Sequence, residues 1–281
     1  MTFPDTWTNP KDGSVLQRIP AGEFLMGSMP EQIEAAIAMD KDGPLFALHH
    51  ECPQFRAFTS DFYLGVHAVT NEQFARFLSD LKPTEFQLDR WISSLERITP
   101  PSEPNVPFRV IPGFERHPVV HVSWHGAEAY CHWASLRLPT EIEWEKAARG
   151  NDGRIFPWGN DWDSDALAWW SSHDADHDTE PVDAFARGCS PYGIFQMAGN
   201  VEEWCADWYR YDAYQCYTTG DMTPPKSGLG RIVRGGNCMF RHKLGFRCAM
   251  RRMSASLLVN ILYTGIRCAC SANSPLILHN S

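Results

Sequence analysis

RLPTEIEWEKAARG, residues 137–150, marks both ends of a helix. Thr140 can accept from the backbone N–H three residues on while Glu143 reaches back to the Thr140 N–H, which is a capping box. Trp144, Ala147 and Ala148 follow at helical spacing, and Gly150 can end the helix in a left-handed conformation. The same pattern recurs upstream. Thr70-Asn-Glu-Gln73 followed by Phe74, Phe77 and Leu78 predicts a helix of about three turns. Ser123 is a candidate N-cap for a third helix, with Ala127, Tyr130, Cys131 and Ala134 on one face, and the HPVVHVSW stretch His117 to Trp124 reads as the short buried strand that feeds it.

Outward from these helices the chain reads as short strands and loops. Val15 to Phe24, broken by Pro20 and Gly22, fits a strand, a turn and a second strand, and Phe62 to Val69 fits another. Leu81 to Glu115 is rich in proline and shows no sustained period, as expected of a long excursion. After Gly150 no helix is expected: Gly and Pro punctuate short apolar stretches that carry Trp158, Trp162, Trp169, Trp170, Trp204 and Trp208. No linker separates these parts, so the expectation is one domain over residues 1–281 with long insertions, irregular and rich in loops and short strands.

With 281 residues, 43% of them hydrophobic and 21% charged, the chain has enough apolar material for a substantial core. Its net charge of −9 argues against a protein that coats nucleic acid or an anionic membrane, and no nucleic-acid partner is expected. The charge is unevenly spread. No Asp or Glu follows Asp221, so the first 221 residues carry −18 and the last sixty +9. Either that basic tail packs against the acidic body and is neutralised by it, or it forms an anion-attracting face. Nine cysteines without a CxxC pair suggest neither a zinc ribbon nor a disulfide framework and fit a reducing compartment. The first residues lack the pattern of a signal peptide and no apolar run is long enough to span a membrane, so no transmembrane segment is expected. Localisation stays open between the cytoplasm and display at a surface by another route.

His117 and His121 would lie on one strand face about 13 Å apart, too far to share a metal. Ser171 to Glu180 gathers acids and imidazoles but lacks the glycine and terminal glutamate of an EF-hand loop, which favours a solvated loop. Gly235-Gly236 after Arg234 has neither a dinucleotide-binding nor a Walker pattern around it and reads as a tight strand end. Residue chemistry alone names no reaction.

Several segments in order carry a resemblance: Arg18-Ile-Pro-Ala-Gly-Glu-Phe24 with Met26-Gly-Ser28, Val69-Thr-Asn-Glu-Gln-Phe74, His117-Pro-Val-Val120, Arg137 to Gly150, Phe156-Pro-Trp-Gly159, Met197-Ala-Gly-Asn-Val-Glu-Glu-Trp204, Val233-Arg-Gly-Gly236 and Gly265-Ile-Arg267. From about residue 15 to 268 the chain resembles the formylglycine-generating enzyme and sulfatase-modifying-factor family, a variant of the C-type lectin fold, and the resemblance implies an α+β fold of few helices, short antiparallel strands and much irregular structure. The resemblance implies structural calcium, with one site falling on Gln196, the carbonyls of Gly199 and Val201, and Glu203; such oxygen ligands suit a hard cation. A second family calcium site would begin near Leu167 and Ala168, where no side-chain oxygen stands.

Enzymes of the family use two cysteines beyond the Gly-Gly turn to hold copper and activate oxygen. Here Phe240 stands at the first of those positions and Lys243, Leu244 or Gly245 at the second, so no catalytic residue is assigned and no copper is expected. The framework residues Arg247, Ala249, Arg251, Gly265 and Arg267 persist while the residues between them do not follow the family's polar pattern. That resembles the variable proteins of diversity-generating retroelements, which randomise Asn-type codons in a C-terminal segment, here 236–267. Most of the replacements are reachable from such codons, although Met239, Lys243, Met250 and Met253 are not.

The resemblance thus implies a non-catalytic, receptor-type binding protein. Its ligand face would comprise Cys238, Met239, Phe240, Arg241, His242, Lys243, Leu244, Met250, Arg252, Ser254, Leu257, Leu258, Asn260, Leu262 and Tyr263. An exposed apolar patch would supply affinity, and Arg241, Lys243 and Arg252 would favour an acidic protein or other macromolecular ligand. The competing reading makes Leu257, Leu258 and their neighbours ordinary core. The alternatives in function are a copper-dependent oxidase with altered cysteines and a catalytically silent regulatory paralogue.

Overall fold

A computed structural model describes residues 3–43, 48–103, 105–172, 178–254 and 262–278. Its strands are β1 (Thr6–Thr8), β2 (Val15–Ile19), β3 (Gly22–Met26), β4 (Phe55–Thr59), β5 (Phe62–Gly65), β6 (Ile98–Thr99), β7 (Arg109–Val110), β8 (Glu202–Trp208), β9 (Arg231–Arg234), β10 (Arg251–Ser254), β11 (Thr264–Gly265) and β12 (Ala269–Ser271). Its helices are α1 (Pro30–Met39), α2 (Asn71–Leu81), α3 (Glu85–Trp91), α4 (Trp124–Trp133), α5 (Glu141–Arg149), α6 (Ala213–Tyr217) and α7 (Pro275–Leu278).

The three helices announced by caps all form. Thr70 and Thr140 accept from Gln73 N and Glu143 N in true capping boxes, and Ser123 accepts from Gly126 N. Each shields its apolar stripe: Phe74, Phe77 and Leu78 of α2 and Tyr130 and Cys131 of α4 share one core with Trp204 and Val233, while Trp144, Ala147 and Ala148 of α5 enter a second with Ile232 and Cys248. The strands form two four-stranded sheets, in the orders β1-β2-β5-β12 and β10-β9-β8-β11, and two ribbons, β3-β4 and β6-β7. Pairings are antiparallel except β8 with β11. Chain closure is long-range: β12, near the C-terminal end, pairs with β5 and so locks the tail to the N-terminal half.

Three expectations fail. His117 to Trp124 forms no strand; only isolated bridges occur, Thr70 with Pro118 and Ile92 with Val122, because His121 adopts a left-handed φ of 61° that breaks the extended run. The excursion from Leu81 to Glu115 contains α3, capped by Thr84, and the β6-β7 ribbon. Helices also occur beyond Gly150, as the short α6 and α7. Among the described residues no helix is long and apolar enough to cross a membrane.

Candidate ligand-binding face

β9 delivers the chain to the Gly235-Gly236 turn, where both residues have positive φ. Only glycine fits at 236, since a Cβ there would stand 2.8 Å from the Gly245 carbonyl oxygen. Asn237 then organises the next turn of chain. Its Oδ1 accepts from Met239 N at 3.0 Å and its Nδ2 donates to Glu202 Oε2 at 3.0 Å, while its carbonyl accepts from Phe240 N. Glu202 also accepts from Arg252 Nη1 at 2.6 Å, and its backbone N–H donates to the Tyr263 carbonyl, so its buried carboxylate ties the 237–240 turn to β10 while its backbone holds the 263 region. Burial pushes the Glu202 carboxyl above the ordinary range, with Arg252 and Asn237 opposing.

The aromatic side chains build the surface. Phe240 lies over Gly245, where a Cβ would come within 2.4 Å of its ring, and its centroid is 5.9 Å from that of Phe246. Arg252 sits 4.8 Å over Phe240, Arg241 lies 3.7 Å over Trp170, and Lys243 lies 5.4 Å over Trp162. Trp162 in turn packs against Phe246 and Trp169. The result is an aromatic floor carrying cations on its outer side, an arrangement in which ring and cation attract electrostatically.

Of the residues expected at a ligand face, Met239, Arg241 and Leu262 are exposed and Phe240, His242, Lys243, Arg252, Ser254 and Tyr263 are half-buried, Tyr263 packing against Ala68, Val120, Val182 and Val201. Cys238, Leu244 and Met250 are buried, at 0%, 0% and 5% exposure, and present no surface to a ligand. Leu244 and Met250 pack with Ile33 and Ala36 of α1 and with Leu48, a core that arises because α1 covers the segment. Leu257, Leu258 and Asn260 lie outside the described residues. Sequence reasoning missed Trp162, Trp170, Glu202 and Asn237, although the density of tryptophan between 158 and 170 was the available signal.

The basic tail is largely neutralised by the acidic body. Arg247 pairs with Glu51, Arg251 with Glu141, Arg252 with Glu202, Arg267 with Glu203 and Arg234 with Glu145. Among the described residues Lys226, Arg231, Arg241 and Lys243 of the tail have no carboxylate at ion-pair distance, and of these Arg241 and Lys243 stand over Trp170 and Trp162.

The expected metal positions fare differently. Both oxygens of Glu203 accept from Arg267, and Oε2 also accepts from Trp144 Nε1 at 2.7 Å. Gln196 Oε1 accepts from Asn200 Nδ2 at 2.7 Å, and Gly199 and Val201 lie on the turn between these two side chains. With every side-chain oxygen of the set committed to N–H donors, and a guanidinium already compensating the carboxylate, this donor set as arranged does not fit calcium. His117 and His121 go to separate partners, Thr179 Oγ1 at 3.1 Å and Glu96 Oε1 at 2.9 Å. Asp178, at the end of the acidic loop, pairs with Arg97. Among the described residues no three His, Cys, Asp or Glu side chains converge as a metal site. The described residues include all nine cysteines, and none is in a disulfide. Burial pushes the Cys238 thiol up to about 12.

An α+β scaffold with a Gly-Gly turn, a buried clamp beneath it and a cation-bearing aromatic face defines a C-type-lectin-like class of protein. The chain belongs to the sulfatase-modifying factor enzyme 1-like domain family, whose pattern it matches over residues 2–272. It is 36% identical to the serine/threonine-protein kinase pkn1 of Chlamydia caviae over 89% of its own length but spans only 37% of that relative. It is 32% identical to the formylglycine-generating enzyme of Thermomonospora curvata, covering 89% of this chain and 91% of the relative. Among solved structures it shares its fold with Treponema denticola variable protein 1, with a TM-score of 0.64, 19% identity, and coverage of 95% of this chain and 98% of that one.

Proposed function

We propose that this protein is a non-catalytic binding protein, the variable protein of a diversity-generating retroelement, which uses the formylglycine-generating-enzyme scaffold to present the face around Phe240 to a protein or other macromolecular ligand. The observation that carries the reading is Phe240 itself. It stands at the position that the resemblance assigns to the first catalytic cysteine, held between Arg252 and Phe246. A phenyl ring offers no soft ligand for copper. The neighbouring thiol of Cys238 is sealed in the core and, pushed up to about 12, stays protonated at neutral pH. The fold shared with Treponema denticola variable protein 1 supports the same reading, as does the enrichment of aromatic, Met and Arg side chains that interface centres favour.

Titration of the reduced protein with Cu(I), run beside an oxygen-consumption assay on a cysteine-containing peptide, is expected to give no stoichiometric copper and no turnover, with Cys238→Ser indistinguishable from the parent. Tight copper with turnover would restore the oxidase. The retroelement part is tested at the locus: a neighbouring reverse transcriptase and a near-copy of the codons for residues 236–267, differing mainly at adenines, are expected, and their absence removes that part of the reading.

A further inference from the structure

The β3-β4 ribbon has two strands, and its two edges are unlike. On the β3 side α5 covers the edge: Arg149 Nη1 donates to the carbonyls of Leu25 at 3.0 Å and Gly27 at 2.6 Å, and the Gly27 N–H donates to Glu145 Oε1 at 2.8 Å. The outward residues of β3 are therefore Leu25 and, two places before it, Glu23. In an antiparallel ladder a residue whose N–H and carbonyl face outward stands opposite one that does the same. Leu25 is opposite Arg56 and Glu23 opposite Phe58, so Arg56 and Phe58 direct their N–H and carbonyl groups to the free side of β4. Among the described residues nothing pairs with those four groups.

The side chains alternate along β4. Phe55, Ala57 and Thr59 are buried, the first two in a core with Tyr214 and Tyr217, while Arg56 and Phe58 are exposed. Phe58 is 61% exposed. Edge strands that stay single are usually short of apolar surface and guarded by charge, proline or a cover. Here the one charge on the strand, Arg56, has Glu23 of β3 3.5 Å away, and the phenyl beside it is bare.

This pattern is complementary to itself. With Ala57 of one copy opposite Ala57 of a second, antiparallel copy, Arg56 of each stands opposite Phe58 of the other. Each of the two pairs then exchanges two hydrogen bonds, which uses all four outward groups on both strands. It also sets a guanidinium beside a phenyl ring at cross-strand distance, where cation and ring attract. Moving the axis to Arg56 would instead oppose two like charges.

We propose that two copies of this chain join antiparallel through β4, about Ala57, into a continuous four-stranded sheet. The contact is short, so the dimer is a weak one. None of its residues belongs to the face around Phe240, and the pairing stands whether or not that face binds a ligand. Where the face does bind, the dimer presents it twice in one particle and gains avidity for a repeated partner.

Sedimentation equilibrium of the protein from about 1 to 200 µM is expected to show its mass rising toward twice that of one chain. Phe58→Arg sets like charges opposite each other in both pairs and should weaken association by about tenfold or more. Arg56→Phe combined with Phe58→Arg exchanges the two side chains, keeps a guanidinium opposite each phenyl and should restore the parent's dimer. Both side chains are exposed, so the variants are expected to fold, and equal melting temperatures of the dilute proteins check it. A parent that stays monomeric at every concentration overturns the proposal and leaves the edge to solvent or to a strand of another protein. A dimer untouched by Phe58→Arg overturns it too, since the contact would then lie on another surface, as does a double variant that remains monomeric.

Discussion

Replacing Glu145 by alanine is expected to lower the unfolding free energy by about 3–5 kcal/mol, the usual cost of stranding a buried cation. Glu145 is wholly buried on α5 and joins four elements: it accepts from Gly27 N at 2.8 Å, lies 3.3 Å from Arg149 and 3.3 Å from Tyr214 Oη, and pairs with Arg234. Arg234 extends the network, donating to the carbonyls of Cys248 at 2.8 Å, Ala249 at 3.0 Å and Met250 at 2.9 Å. Alanine therefore leaves Arg234 and Arg149 short of charge compensation and Gly27 N–H without its acceptor, at a place no water can reach cheaply. Glu145→Gln keeps an oxygen for Gly27 while removing the charge, so it should recover only a part of the loss. Urea unfolding of the parent and both variants at pH 7 checks the ordering. A loss below about 1 kcal/mol for the alanine variant would mean that Arg234 is held by its three carbonyls and that the ion pair adds little.

That network also shows what the sequence could convey. Helices α2, α4 and α5 were legible because a cap and a periodic stripe lie within a dozen residues of each other, so local chemistry specifies them. Helix α1 has no such signature: Met29 at its N-cap offers no capping side chain, and the residues it covers, Leu244 and Met250, come some two hundred positions later. Missing α1 is what placed Leu244 and Met250 on the ligand face, since an apolar residue in a segment expected to be solvated reads as a patch until its cover is seen. His121 failed for a different reason. Val119, Val120 and Val122 favour extended backbone, but the left-handed turn at His121 is set by its tertiary neighbours, Glu96 among them. The charge asymmetry was legible as a sum and silent about partners, because Glu51, Glu141, Glu145 and Glu203 pair with arginines dozens to hundreds of residues away. Phe240 was legible at once, because a missing thiol at a chemically demanding position requires no knowledge of distant contacts.

The acidic limb of stability is expected to carry an unusual inverse contribution from Asp207. This residue of β8 is buried, and its Oδ2 accepts from Glu141 N at 2.6 Å, at the start of α5. Burial, reinforced by the nearby Glu141 carboxylate, pushes its pKa from 3.8 up to about 6, while the hydrogen bond from Glu141 N and the charge of Arg251 oppose the shift. In the unfolded chain Asp207 loses its proton near pH 4. In the folded chain it keeps that proton until about pH 6, so across this window the native state binds more protons and the unfolding free energy falls as pH rises. Above pH 6 both states are ionised and the penalty is constant, on the order of 3 kcal/mol for a shift of this size. Asp207→Asn keeps an oxygen for the Glu141 N–H and carries no charge at any pH. It should therefore be more stable than the parent by up to about 3 kcal/mol at pH 7.5, with the advantage shrinking to nothing by about pH 4. Denaturant unfolding of both proteins at a series of pH values isolates this term, because every other carboxylate is common to the pair and cancels in the difference. An advantage that fails to change with pH would show that the asparagine acts through packing, and an asparagine variant no more stable at pH 7.5 would show that Arg251 already compensates the buried charge.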